Sequence, residues 1–217
     1  MEEWIAIALE EEIRFFITSL GNPAWVVDMV AERGGIVYHD VTEARWAEKG
    51  LRGGVHGLIA VNRDAGGHAG QRSAEQLYPE LAGFGVPVVA AGGVGNPAGF
   101  RRMLDTGYAA VQCGTRFIAT VECSASDDYK AAIVAATPDH IIHSERLTGV
   151  PVALIRNPGL EREGVSVGPL SRRLLRWRRT RHWLRYLWAV RSSIRLRRSS
   201  SSSDNGYSIW QAGKSVG

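Results

Sequence analysis

One histidine of this sequence lies in a turn that has almost no side-chain bulk around it. His68 is surrounded by Gly66, Gly67 and Gly70, and the turn directly follows a short apolar run at residues 57–61. Glycine allows left-handed backbone angles and a close approach of the backbone to a ligand. A histidine without a serine or cysteine nucleophile in its motif suits acid–base chemistry, or hydrogen bonding to a developing anion, better than hydrolysis. We therefore predict that His68 is catalytic and faces a large, flat partner.

Two further glycine-rich turns follow later apolar runs. Gly92 and Gly93 begin the first turn, and Gly114 with Thr115 forms the second turn one strand–helix unit later. Peptide N–H groups and a threonine hydroxyl can hold a phosphate dianion. Each turn could equally be a tight turn that lets a helix pack closely, but the two together favour phosphate binding. The absence of a Walker-type lysine argues against a nucleoside triphosphate.

The candidate residues stand at the ends of alternating strands and helices. Helical periodicity, with start signals at Ser73 and at Asn96 followed by Pro97, predicts helices between the strands. This alternation predicts parallel βα units rather than a sandwich or a bundle. Because the glycine turns after the last two strands are consecutive, a partial (β/α)8 barrel is favoured over a doubly wound sheet. The predicted strands are residues 13–19, 36–41, 57–62, 87–91 and 109–113.

The composition is that of an ordinary globular α/β protein. Of 217 residues, 45% are hydrophobic and 25 are glycine, which is compatible with a sizeable core. The first residues are acidic, unlike a signal peptide, and no apolar run is long enough to cross a bilayer. Cys113 and Cys123 have neither CxxC nor Cys/His metal spacing. We therefore expect a cytoplasmic protein without a membrane span, a disulfide framework or a metal site.

The net charge of +4 is distributed unevenly along the chain. Residues 171–217 hold eleven arginines and one lysine against one aspartate, which gives +11 and leaves −7 for residues 1–170. The arginine tract at residues 172–198 also contains Trp and Leu at positions that fit a helix with an aromatic face. We favour a lid or packing helix over a membrane-surface or oligomer contact and over a nucleic-acid arm, because Trp and Leu are too dense for a solvated arm. Residues 199–203 form a serine-rich linker, and residues 210–216 are either a compact segment or a disordered end.

As a set, the motifs resemble those of the nitronate monooxygenases, formerly called 2-nitropropane dioxygenases. Order and spacing agree from about residue 5 to residue 158, and residues 210–216 look like a further family segment. Flavin-dependent enoyl-acyl-carrier-protein reductases share nearly the same loops, so the resemblance is less specific for the substrate. The matching segments are Ala65-Gly-Gly-His-Ala-Gly70, Pro87-Val-Val-Ala-Ala-Gly-Gly-Val94, Val111-Gln-Cys-Gly-Thr-Arg-Phe117, Ala119-Thr-Val-Glu122 with Tyr129-Lys130, and Thr148-Gly-Val-Pro-Val152 with Arg156-Asn157.

The resemblance implies an FMN-binding (β/α)8 barrel and roles for particular residues. His68 would act as a base or hydrogen-bond donor toward the nitro or nitronate group, while the flavin passes an electron to dioxygen. Gly92, Gly93, Gly114 and Thr115 would hold the FMN phosphate. The implied cofactor-binding residues are Asp64, Ala65, Gly66, Gly67, Gly92, Gly93, Gln112, Gly114 and Thr115.

Several other side chains have more than one interpretation. Asp64 could contact the ribityl chain or only cap the turn before His68, and His39 could point toward the barrel mouth. Glu122 is expected on a helix after the last strand, together with Tyr129 and Lys130. A solvated helix face is the simpler interpretation for Lys130.

The sequence shows about five of the eight strands of such a barrel, corresponding to strands four to eight. We therefore expect residues 1–158 to form a partial barrel with the FMN and active-site loops. Residues 159–217 would hold the basic helical segment, the linker and the last family segment. The chain would then be a fragment, or a separate piece would supply the missing strands. Because an open sheet loses part of its cofactor site, this polypeptide should bind FMN weakly or not at all.

Three functions follow from these patterns. The first is FMN-dependent oxidation of alkyl nitronates or nitroalkanes by dioxygen, with a small-molecule substrate, no nucleic acid, and an oligomer possible. The second is an NAD(P)H-dependent flavin enoyl-acyl-carrier-protein reductase. The third belongs to another class, a non-catalytic truncated fragment whose basic tail, at residues 172–198, is an interaction surface.

Overall fold

A computed structural model describes residues 1–144, 151–157, 160 and 210–216. The arginine tract, the serine-rich linker and the predicted boundary between residues 158 and 159 lie outside the described residues, and the two-segment division stays a prediction. The chain forms two compact units. The first consists of Met1–Arg63 and Gly70–Gln112, and the second of Asp64–Ala69 and Cys113–Gly217.

The first unit is a parallel sheet whose strand order follows the chain. Its strands lie in the order β1-β2-β3-β4-β5, and each neighbouring pair is parallel. This sequential order is that of a barrel wall, since a doubly wound sheet reverses its order at a switch point. The structure therefore confirms the predicted partial barrel. The elements are α1 (Glu2–Glu10), β1 (Phe15–Thr18), α2 (Ala24–Ala31), β2 (Ile36–Val41), α3 (Ala44–Arg52), β3 (Gly57–Val61), α4 (Ala74–Ala82), β4 (Val88–Ala91), α5 (Pro97–Thr106) and β5 (Ala110–Gln112).

One face of this sheet is buried and the other is partly open to solvent. On the buried face, the apolar side chains of β2 and β3 pack with apolar side chains of the helices, because alternate residues of a strand point to the same side. On the opposite face, Phe15, Ile17 and Ile36 are 51%, 50% and 44% exposed. The core of the first unit thus lies between sheet and helices. Its fully buried members include Val30, Val37, Val41, Leu58, Leu77, Leu81 and Met103.

Two helices begin where the sequence predicts. The Ser73 hydroxyl accepts a hydrogen bond from the Gln76 N–H, and the Gln76 side chain accepts one from the Ser73 N–H, which is a capping box. The Asn96 side chain accepts a hydrogen bond from the Gly99 N–H at 2.8 Å, before a helix with proline at its first position. Local side-chain chemistry therefore sets the start of α4 and α5.

The second unit combines short helices with an antiparallel strand pair that the sequence analysis did not predict. Its elements are α6 (Thr115–Ile118), α7 (Asp127–Ala135), a 3-10 helix (Pro138–His140), β6 (Ile141–Ser144) and β7 (Val152–Ile155). The two strands pair with Ile141 opposite Ile155 and Ser144 opposite Val152. The larger cluster of buried residues in this unit contains Ile133, Ala136, Ile141, Ala153, Ile155 and Ala212.

The expectation for Glu122 is wrong. Glu122 is exposed in a turn, whereas Tyr129 and Lys130 lie on α7 as predicted. The Ser126 hydroxyl accepts a hydrogen bond from the Tyr129 N–H and caps the helix, so that α7 begins after Glu122.

The described part of the chain contains no helix that is long and apolar enough to span a membrane. Within the same residues, no group of His, Cys, Asp and Glu side chains is arranged to hold a metal ion.

Candidate active site

The turn that carries His68, residues Asp64–Ala69, belongs to the second unit and is called the His68 loop below. Ala65 is buried and His68 is exposed. Gly67 has a φ of 70°, in the left-handed region that favours glycine. Its carbonyl accepts a hydrogen bond of 2.9 Å from the Ala153 N–H of β7, as in an antiparallel bridge. The loop is therefore held on one side by a strand, with the imidazole left accessible.

The other side of the His68 loop contacts residues 210–216, called the C-terminal segment below. The Lys214 N–H donates a hydrogen bond of 2.8 Å to the Asp64 carbonyl. The Lys214 ammonium also lies 3.1 Å from Asp64 Oδ1, an oxygen that is shielded from solvent. Next to this pair, the Gly213 N–H donates a hydrogen bond of 2.9 Å to the Thr115 hydroxyl oxygen. The sequence suggested neither Lys214 nor Gly213 as a site residue.

The C-terminal segment is itself fixed within the second unit. Trp210 stacks on Tyr129 with ring centroids 6.0 Å apart, and its carbonyl accepts a hydrogen bond from the Ile155 N–H at 2.9 Å. The Tyr129 hydroxyl donates a hydrogen bond to the Gln211 carbonyl. Burial raises the pKa of Tyr129 to about 12, so this hydroxyl keeps its proton near neutral pH. Of the two interpretations of residues 210–216, the compact segment is confirmed.

The first of the two predicted phosphate turns lies in the first unit. Gly92 and Gly93 follow β4 with φ angles of 116° and 75°. The buried side chain of Asn62, directly after β3, donates a hydrogen bond of 3.0 Å to the Gly92 carbonyl and so holds the turn. Successive N–H groups in such a turn, without β-carbons, fit the oxygens of a phosphate. Gln112, at the end of β5 in the same unit, is exposed.

The second predicted phosphate turn lies in the second unit. Gly114 precedes α6, and a β-carbon built on it would meet no atom within 4 Å. Thr115 is 7% exposed, and its hydroxyl accepts the Gly213 N–H while retaining its own proton for donation. Space beside Gly114 and a remaining donor on Thr115 fit a phosphate ligand. The assignment of FMN to these residues stays a prediction.

His39 lies on the buried, helix-facing side of β2, away from the position suggested by the sequence. It is 5% exposed, and its Nδ1 lies 2.8 Å from the Thr18 hydroxyl oxygen. The ring also lies beside Gly50 of α3, where a β-carbon would come within 3.2 Å of it. Burial lowers the pKa of His39, which favours the neutral ring. His39 is therefore a core histidine.

Asp40, which the sequence analysis passed over, lies on the opposite face of β2 near its carboxyl end. The side-chain oxygen Oδ1 is shielded from solvent and accepts no hydrogen bond within the described part of the chain, and Ser19 hydrogen-bonds to the carboxylate. Burial raises the pKa of Asp40. The sequence could have indicated Asp40 as a candidate site residue, because it is an aspartate near the end of an apolar strand and barrel enzymes place functional groups at these ends.

Comparisons with known proteins agree on a family and a fold. A family model for nitronate monooxygenase matches residues 2–177. The chain is 28% identical over 162 residues to the (3aS,4S,5R,7aS)-5-hydroxy-7a-methyl-1-oxo-octahydro-1H-indene-4-carboxyl-CoA dehydrogenase of Mycobacterium tuberculosis, which covers 73% of this chain and 46% of the relative. It is 28% identical over 158 residues to the nitronate monooxygenase of Paraburkholderia phytofirmans. That match covers 67% of this chain and 43% of the relative.

The solved structure of FabK from Thermotoga maritima superimposes with a TM-score of 0.78 at 24% identity. The match covers 99% of this chain and 65% of that one. At this identity the match supports the barrel fold alone. The chain spans less than half of the length of either sequence relative.

Proposed function

This chain belongs to the nitronate monooxygenase family, and we propose that it is an FMN-dependent oxidoreductase that oxidises alkyl nitronates with dioxygen. His68 is the catalytic residue in this proposal. The observation that carries it is an exposed imidazole on a loop of small residues that is fixed on both sides by hydrogen bonds. A ligand can approach such a loop closely, while the loop keeps the imidazole in place.

The protein groups have separate tasks in this reaction. His68 donates a hydrogen bond to a nitronate oxygen, or removes the proton next to the nitro group of a nitroalkane. The small residues Ala65, Gly66 and Gly67 leave room for a flat ring beside the imidazole. The turn at Gly92 and the turn at Gly114 each offer N–H groups of the kind that binds a phosphate such as that of FMN. When bound, FMN supplies the electron transfer between nitronate and dioxygen.

Oxygen uptake by the 217-residue chain tests this function. Propionate 3-nitronate is the substrate, and FMN is added in large excess because the sequence predicts weak affinity. We expect FMN-dependent uptake, and a loss of about 10²-fold or more in kcat/KM for His68→Gln, the usual size of an acid–base contribution. The matched control is His143→Gln, an exposed histidine of β6 in the same unit, which should retain wild-type turnover. Absence of FMN-dependent uptake, or equal turnover by His68→Gln, rejects the proposal.

A second candidate is an oxidoreductase that acts on an acyl thioester with NAD(P)H. The observation that favours it is the Mycobacterium tuberculosis relative, whose name describes a carboxyl-CoA dehydrogenase. Oxidation of NAD(P)H in the presence of an enoyl thioester, without turnover of propionate 3-nitronate, would replace the first function by this one. His68→Gln should abolish that activity as well, because the same loop would face the flavin.

A further inference from the structure

Gly213 lies very close to the backbone of the His68 loop. A β-carbon on Gly213 would lie 2.6 Å from the Asp64 carbonyl oxygen and 2.6 Å from the Gly66 nitrogen. These are backbone atoms of the loop, so they cannot move aside as a flexible side chain would. Only glycine fits at this position without a shift of the loop.

Lys214 contacts the loop through two oxygens of Asp64. Its N–H donates to the Asp64 carbonyl at 2.8 Å, and its ammonium lies 3.1 Å from Asp64 Oδ1. The lysine side chain is 38% exposed and the aspartate side chain 26% exposed. A fully exposed ion pair contributes little, but here the carboxylate oxygen is shielded from solvent. Loss of the ammonium would remove this ion pair, so the start of the loop would open more often.

Further contacts hold the C-terminal segment against strand β7. Ala212 is fully buried, and its N–H donates to the Ala153 carbonyl at 3.3 Å. The neighbouring Gln211 pairs with Leu154 as an antiparallel bridge. Ala153 also donates its N–H to Gly67. The segment and the His68 loop therefore contact the same strand, β7, and each other.

We propose that Lys214 is a positioning residue for His68, acting through its two contacts with Asp64, and that Gly213 permits the approach. The C-terminal segment is then a working part of the site, although no residue of it carries the chemistry. Lys214 holds the start of the loop and Ala153 holds Gly67, so the position of the imidazole is defined from both sides. The catalytic consequence rests on the proposed function, whereas the positioning of the loop does not.

Hydrogen exchange measured by mass spectrometry tests the positioning directly and needs neither substrate nor cofactor. In Lys214→Gln, the amides of residues 64–69 should exchange at least about 10-fold faster than in the wild type, because local opening becomes more frequent. Lys214→Arg keeps the cation and should restore most of the protection. The control is Lys130→Gln, a lysine on α7 in the same unit, with wild-type exchange expected. Unchanged exchange in Lys214→Gln, or equal damage by Lys214→Arg, overturns the proposal.

Nitronate turnover with excess FMN tests the catalytic consequence. We expect Lys214→Gln to lower kcat by about 10-fold or more, since small displacements of a catalytic group are costly, while Lys214→Arg stays within about threefold of the wild type. A normal kcat in Lys214→Gln, despite faster exchange at residues 64–69, overturns the functional role. If the wild type turns over no nitronate, the proposed function fails, and the exchange data alone decide the positioning role.

Discussion

The sheet of the first unit and the His68 loop of the second unit are assembled from contacts of different range. In the sheet, each strand pairs with the next strand of the chain, one helix later. In the loop network, Gly213 bonds to Thr115 across 98 residues, and Gln211 bonds to Tyr129 across 82 residues. The sheet therefore follows from patterns that are local in the sequence. The geometry around His68 depends on residues that no local pattern connects.

The largest change in stability is expected when a buried side chain is removed from the sheet. Leu58 lies in β3 and is fully buried, so Leu58→Ala should lower the free energy of unfolding by about 3 kcal/mol through lost burial and a cavity. Urea titration followed by circular dichroism measures this change. The control, Leu104→Ala, removes a leucine that is 41% exposed and should cost less than about 1 kcal/mol. Equal costs would contradict a core between sheet and helices.

The next prediction concerns the contact between Gly213 and the backbone of the His68 loop. In Gly213→Ala, the new methyl group would overlap the backbone of Asp64 and Gly66, and we expect a loss of about 2 kcal/mol together with faster exchange at residues 64–69. The control is Gly83→Ala, because Gly83 has a φ of −66° and no atom within 4 Å of an added β-carbon. That variant should change stability by no more than about 1 kcal/mol. A tolerated Gly213→Ala would show that the C-terminal segment does not dock as described.

One tyrosine hydroxyl in each unit donates a hydrogen bond to a backbone carbonyl, so the contributions of the two bonds to stability can be compared. The Tyr108 hydroxyl donates a hydrogen bond of 2.8 Å to the Ala74 carbonyl within the first unit, across 34 residues. The Tyr129 hydroxyl donates to Gln211 within the second. Substitution of either tyrosine by phenylalanine should lower the free energy of unfolding by about 1 kcal/mol, the usual net value of such a bond. An effect for Tyr108→Phe without one for Tyr129→Phe would place the weaker attachment in the second unit.

The smallest expected effect is a pH dependence that comes from His39. Burial lowers its pKa below the ordinary 6.5, so the unfolded chain binds the proton more readily than the folded one. Stability should therefore decrease as the pH falls from about 6.5 to the lowered folded pKa, and His39 adds no further change below it. Unfolding titrations at several pH values, for the wild type and His39→Asn, isolate this contribution. Parallel profiles for the two proteins would refute it.

The elements of the first unit could be predicted because their signals are short. Runs of apolar, β-branched and aromatic residues predicted the five strands, and Ser73 and Asn96 marked helix starts through their own side chains. Strands β6 and β7 escaped prediction because their pairing is decided by the partner strand rather than by a signal of their own. Glu122 was placed on a helix because the cap at Ser126 was not recognised.

The candidate site could be predicted only in part. The position of His68 follows from the glycines on either side of it. The position of His39 at a strand end does not reveal on which face of the sheet its side chain lies. The face follows from Val37 and Val41, which are buried and share a side of the strand with His39 because they are two residues away on either side. The residues next to Lys214 in the sequence do not mark it as a site residue. Its partner Asp64 is far away in the chain, and the two residues meet only after folding.

The contact between Lys214 and the His68 loop also fixes the order of events during synthesis. Strands β1 to β5 leave the ribosome well before Gly213, and at about 10 residues per second the interval from Gln112 to Lys214 takes roughly 10 s. During that time the sheet can form, but the loop around His68 lacks its contact with Ala153 until that residue is synthesised, and its contact with Lys214 until the end of the interval. A translation product that stops before Gly213 would thus contain the parallel sheet and His68, yet lack the contact that Lys214 makes with the His68 loop.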